Sequence, residues 1–148
     1  MVQKLCGIMV RTLARLVDYH VYIRKPSVAT KVDFPSICVQ ELQGDHRIVT
    51  ALSGELDGSM IDTAIGFAGS ENVVCEEDCL DALCELINCV NGLLATEMSS
   101  KSIDIDMDAP FSQGTPGSIE SEAILSLPVV IYGKELVLDV ILDKDYTI

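Results

Sequence analysis

The sequence predicts an α+β fold: a largely antiparallel sheet packed against long helices, in one domain spanning residues 1–148. Three observations carry that prediction. Helical apolar spacing marks residues 3–17, 55–69 and 75–100, while most of the intervening segments alternate in the strand manner. Tight turns join successive strands, at Gln43-Gly44-Asp45-His46 and at Gly133-Lys134, and strands joined that way pair antiparallel. Hydrophobic residues make up 49% of 148, with mean hydropathy +0.35, enough for one real core. The expected order is α-β-β-β-α-α-β-β-β, with the helices on a face of the sheet.

In the first helix Leu5, Ile8, Met9, Leu13, Leu16 and Val17 share a stripe, with Arg11 and Arg15 off it. HVYIRKPS follows as a short strand closed by Pro26, and SICVQEL and RIVTALS make a hairpin over residues 36–53. ELDGSMIDTAIGFAG reads as a second helix stopped by Gly69 and weakened by Gly58 and Gly66. The third helix, about residues 75–100, opens on Glu76, Glu77 and Asp78, which suit the positive end of its dipole. SIDIDMDAP alternates Ile103, Ile105 and Met107 against Asp104, Asp106 and Asp108, a half-exposed strand ended by Pro110. FSQGTPGSIESE is expected to be a mobile loop. ILSLPVVIYGKELVLDVILD is expected to form two strands, with Leu136, Val140 and Leu142 in the core and Pro128 confined to an edge or a bulge.

Charge narrows the function. With 23 acidic against 10 basic residues the net charge is -13, which disfavours a nucleic-acid backbone and an anionic membrane surface. A protein partner with a basic rim suits it. The N-terminal run is broken by Lys4, Arg11 and Arg15, so no export signal is read there, no membrane-spanning apolar length is read anywhere, and a cytoplasmic protein is expected. In that compartment Cys6, Cys38, Cys75, Cys79, Cys84 and Cys89 are expected to be thiols.

The long helix is apolar nearly all round. Leu80, Leu83, Cys84, Ile87, Val90 and Leu94 fill one broad arc, and Asp81, Glu85, Asn88 and Gly92 fall within about 60° of one another on the other side. Such a helix is buried between other elements, and its polar seam faces water or a partner. Gly92 costs roughly 1 kcal/mol relative to Ala in a helix interior, and its bare backbone allows another surface to approach. Asn can hold a water by its amide oxygen, and Glu can pair with a cation on an incoming protein. Together they suit hydrolysis of a phosphoryl group on a protein, where water must be aimed in line. On the residues alone, a solvated stripe is the commoner explanation.

The motif D-x-x-x-E-x-x-N-x-x-x-G, as Asp81, Glu85, Asn88 and Gly92, resembles the signature of the CheC/CheX/FliY family of chemotaxis phosphatases. The likeness runs over almost the whole chain, through the hairpin, the Gly69-Ser70-Glu71 linker, the strand SIDIDMDAP ending in proline and the closing hairpin. One E-x-x-N occurs and none lies in the first helix, which is similar to CheX rather than to two-site CheC. The cysteines of the long helix depart from the family pattern. The resemblance implies hydrolysis of the aspartyl phosphate of a CheY-like response regulator. Asn88 would orient the attacking water, Glu85 would pair with the regulator's lysine, and Asp81 would extend the contact. Mg²⁺ would be supplied by the regulator, the chain having no cofactor or metal of its own, and a homodimer is implied. A catalytically silent module that keeps the fold and docks a signalling partner is the alternative.

Other candidates are weaker. Cys75 and Cys79 share a helix face, but Cys84 and Cys89 each step five residues, so the four cannot converge on one ion. Buried thiols are the simpler reading, with Cys89 expected to be partly exposed. His20 and His46 have no triad-like partner. The Asp104, Asp106 and Asp108 face lacks the glycine of a calcium loop and is expected to be solvated.

Overall fold

The computed structural model describes residues 2–18 and 20–142. Helix α1 (Val2–Leu16) buries Leu5, Ile8, Met9 and Leu13, the stripe that its spacing predicts. Among the described residues eight strands follow one antiparallel plan: β1 (Tyr22–Ile23), β2 (Ser27–Phe34), β3 (Ser36–Gly44), β4 (Ile48–Gly54), β5 (Ile105–Met107), β6 (Phe111–Gln113), β7 (Gly117–Ile131) and β8 (Lys134–Leu142). Their order is β1-β7-β8-β4-β3-β5, with β2 also on β7 and β6 also on β3. Between β4 and β5 come a π-helical turn (Leu56–Met60), helix α2 (Ile61–Ala68), a 3-10 turn (Ser70–Asn72) and helix α3 (Glu76–Ser99).

The fold class is the one expected, and the hairpin and α3 fall within a residue or two of their expected bounds. Gly69 ends α2 at φ 92°, a left-handed value that glycine adopts without strain. At Gly58 the backbone leaves helical geometry (φ -122°, ψ -111°), which divides the expected second helix into a π turn and a short α-helix.

Four local expectations are corrected. The second element is shorter than HVYIRKPS, only Tyr22–Ile23, and beyond Pro26 begins a strand that was not expected, β2, whose residues are exposed or half-buried except Phe34. An edge strand facing water on both sides has no apolar alternation to read. FSQGTPGSIESE is not a loop. Its Phe111–Gln113 pairs with β3, and its later residues begin the 15-residue β7, where Glu120, Ile119, Ser118 and Gly117 pair with Lys31, Val32, Asp33 and Phe34. Only Ile105–Met107 of SIDIDMDAP pairs as a strand. Pro128 sits inside the sheet, opposite Val137 of β8. Its missing N–H points toward the break between β1 and β2, where Arg24 N–H donates to the Pro128 carbonyl (2.9 Å), so no ladder bond is lost. The expected last residue of β8, Asp143, lies outside the described residues.

Side-chain alternation sorts the sheet into two faces. Cys38, Leu42, Ile48, Leu52, Leu127, Leu136, Leu138 and Val140 join the helices in the main core; Leu142 is packed against it, half-buried. The other face carries a smaller cluster, Phe34, Ile37, Val39 and Ala51, with Val49 and Ile119 packed on it. By length and composition α3 could cross a membrane, which the sequence reading did not allow for. Its apolar character is accounted for by packing: Leu80, Leu83, Leu86, Ile87, Val90, Leu94 and Met98 are buried against the sheet, α1 and α2.

Candidate functional site

Helix α3 lies over β3, and its polar seam faces outward along a ridge between two concavities. Asp81 and Glu85 are exposed, and Asn88 and Gly92 are half-buried. Asp81 and Glu85 stand on the lip of a cleft of about 630 Å³ that reaches Phe67, Asn72 and Phe111. Gly92 borders a groove of about 620 Å³ between α1 and α3, with Arg11, Arg15 and Leu93 on its walls. The flanks of the seam are apolar and accessible: Phe111 is 61% exposed and Leu93 47%. Polar groups rimmed by exposed aromatic and aliphatic side chains have the composition of a protein-binding surface.

A side chain added at Gly92 would meet only Met107 Cε, at 3.9 Å. Nothing within the fold therefore demands glycine there. Glu85 makes no hydrogen bond or ion pair among the described residues, so its carboxylate is available. Asn88 is different. Its Oδ1 accepts a hydrogen bond from Gln40 Nε2 (2.7 Å), which also donates to the Asp108 carbonyl (2.9 Å). Gln40 Oε1 in turn accepts from Asn91 Nδ2 (2.8 Å), which also donates to Thr50 Oγ1 (2.6 Å). Gln40 and Thr50 stand directly opposite each other on β3 and β4. A chain of amides thus runs from the sheet, through the core, to the half-exposed Asn88.

The cysteines scatter. Cys38 and Cys79 are buried, Cys6 and Cys84 half-buried, Cys75 and Cys89 exposed. Cys38 Sγ donates to the Leu80 carbonyl (3.7 Å); the neighbouring Cys84 thiol and then burial push Cys38 far up, and the neighbouring Cys38 thiol draws Cys84 down. Burial pushes Cys79 up to about 11. Among the described residues no three His, Cys, Asp or Glu side chains are grouped to hold a metal ion. Asp104, Asp106 and Asp108 are exposed, and Gln43 Nε2 donates to Asp108 Oδ2 (2.9 Å).

No family model matches the chain, and no curated protein matches it in sequence. Solved structures do match it. The chemotaxis protein CheX of Desulfovibrio desulfuricans aligns with a TM-score of 0.82 at 14% identity, over 95% of this chain and 97% of that one. CheX of Vibrio vulnificus aligns at 0.77 with 15% identity, over 94% and 96%. CheX of Borrelia burgdorferi, in a complex with CheY, BeF3 and Mg²⁺, aligns at 0.71 with 15% identity, over 97% of each chain. This chain has the CheX fold.

The CheX fold explains why one helix carries the seam. A curled sheet offers α3 a single broad face, and the helix side turned away from it is left to water. Asp81 and Glu85 are exposed on that side, and Asn88 and Gly92 stand at its margin, where Asn88 reaches Gln40 of β3 and Gly92 comes near Met107 of β5. Sequence reasoning missed Gln40, Thr50 and Asn91. Asn91 stands on the wheel among Leu80, Cys84 and Ile87, and Gln40 interrupts the buried run of β3 on its inward face. A carboxamide at a buried position needs a partner, and that rule applied to both residues would have paired them.

Proposed function

We propose that this chain is a phosphatase of a CheY-like response regulator, acting in the cytoplasm on the aspartyl phosphate of that protein. The observation that carries the reading is the pairing of a free carboxylate, Glu85, with an anchored carboxamide, Asn88, one helical turn apart on a convex ridge. A ridge at the surface can enter a cleft on another protein.

Each group has one task. Water attacking phosphorus must keep a lone pair aimed at it, so its hydrogens need acceptors. Asn88 Oδ1 has a second lone pair for one of them, and Nδ2 remains to donate to a phosphoryl oxygen. Glu85 pairs with a lysine of the regulator and sets the register of the two proteins, and Asp81 extends that contact. The metal is the regulator's Mg²⁺, which neutralises the leaving oxygen. The CheY partner of the Borrelia burgdorferi protein supports this choice of substrate.

The test is phosphate loss from a phosphorylated receiver domain. Wild type should accelerate it, and Asn88→Ala should lower kcat by roughly a hundredfold, the scale of losing one oriented reactant. Glu85→Ala should act chiefly on KM, because its contact is made before and during the reaction alike. Gly92→Ala should stabilise the fold by about 1 kcal/mol yet raise KM, since the new methyl meets the partner. If wild type binds phosphorylated regulator without accelerating phosphate loss, the chain is a docking module. If Asn88→Ala is as fast as wild type, the assignment of that residue fails.

A further inference from the structure

We infer that Gln40 is a positioning residue: its buried carboxamide, held from behind by Asn91, fixes the Asn88 side chain in the orientation needed to aim water. The inference rests on the phosphatase reading of Asn88 and extends it to a residue that touches neither water nor regulator.

The hydrogen bonds fix the direction of the relay. Gln40 is fully buried in the middle of β3, between Cys38 and Leu42 on the same inward face. Both hydrogens of its Nε2 are committed to acceptors, Asn88 Oδ1 and the Asp108 carbonyl, and its Oε1 accepts from Asn91. With every link donating toward the surface, Asn88 must turn its oxygen inward to Gln40 with one lone pair and keep its N–H groups free. An exposed asparagine on a helix would otherwise sample several rotamers and both amide orientations. Each acceptor that also donates strengthens the next bond, so the relay stiffens toward its outer end.

Stability alone does not account for the relay. Asn91 Oδ1 is buried without a hydrogen-bond partner among the described residues, and a buried acceptor left over is a cost. Leucine-sized apolar residues would fill the space between α3 and β3 without it. A core that keeps three polar side chains and one unmet acceptor beneath the candidate site fits a task of aiming rather than of packing.

Two measurements test the inference separately from the activity beneath it. Gln40→Met keeps volume and removes every side-chain hydrogen bond; Thr50→Val shortens the relay at its far end and serves if Gln40→Met folds poorly. The first readout is the side-chain amide resonance of Asn88 by ¹⁵N NMR, assigned by its loss in Asn88→Ala. Wild type should show an NH₂ ordered on the picosecond-to-nanosecond scale by its heteronuclear NOE, and Gln40→Met should show the mobility of a free surface amide. The second is turnover of phosphorylated regulator. Gln40→Met should lower kcat by about tenfold to a hundredfold with KM unchanged, and Gln40→Met combined with Asn88→Ala should be no slower than Asn88→Ala alone. If Asn88 stays ordered in Gln40→Met, or if the loss of kcat persists undiminished in the Asn88→Ala background, Gln40 does not act through Asn88 and the inference is overturned. If wild type lacks phosphatase activity but the NMR difference appears, the positioning stands and the reading of function falls.

Discussion

Two buried polar clusters lie on opposite faces of the same sheet, and they differ in kind. On the helix face, Gln40, Thr50 and Asn91 are neutral amides and a hydroxyl joined in a line that ends at half-exposed Asn88. On the other face, Ser126 and Asp139 stand opposite each other on β7 and β8; the Ser126 hydroxyl donates to Asp139 Oδ1, and Oδ2 has no hydrogen-bond partner among the described residues. Asp139 is 1% exposed, and burial raises its carboxyl above the ordinary range despite that hydrogen bond. The first cluster spends its bonds on the orientation of a surface group. The second is a closed pair that reaches no candidate site. Burial of polar groups therefore marks a working position only where the hydrogen bonds lead outward.

The sharpest way to break this contrast is to give the first cluster a charge. Asn91→Asp keeps shape but removes both donors, so Gln40 Oε1 and Thr50 Oγ1 lose the N–H groups they accept from and an uncompensated carboxylate enters the core. Loss of about 3–5 kcal/mol is expected, the range for an unpaired buried charge, measured by urea unfolding at pH 7.5. Ser126→Ala probes the second cluster and should cost less, roughly 1–3 kcal/mol, because one hydrogen bond to a group already poorly satisfied is removed. If Ser126→Ala costs more than Asn91→Asp, the two clusters have been ranked the wrong way round.

The same contrast explains what was legible beforehand. The bounds of α3 and the seam of Asp81, Glu85, Asn88 and Gly92 follow from apolar period alone, because the helix meets a broad core on one side. The hairpin of β3 and β4 follows from two apolar runs about a Gly-containing turn. Strand β2 and the first half of β7 were not legible, since each is largely exposed and its order comes from pairing with the other, far along the chain. Gln40 escaped for a related reason: its partners Asn88 and Asn91 come from another element, and no local pattern announces a bond across layers. Pro128 was misplaced because its strand is interior on one side and faces a break in the neighbouring chain on the other.

The smallest and most specific effect concerns the sign of a pH dependence. Because burial raises the Asp139 carboxyl in the folded protein above its ordinary value of 3.8, the folded state holds that proton to higher pH than the unfolded chain does. Its favourable contribution is fully present below the unfolded value and is lost as pH rises through the folded one. At neutral pH, where the unfolded chain ionises this group freely, the raised value therefore counts against the folded state. Asp139→Asn keeps the shape of the protonated form without the charge. It should be more stable than wild type at pH 7.5, and the difference should shrink steadily as pH falls toward the unfolded carboxyl value. Parallel urea titrations across that range check it, since the other carboxylates titrate alike in both proteins. A pH-independent difference would mean that packing, not ionisation, sets the energy of this pair. A variant less stable than wild type at pH 7.5 would mean that the carboxylate is better satisfied than its single hydrogen bond implies.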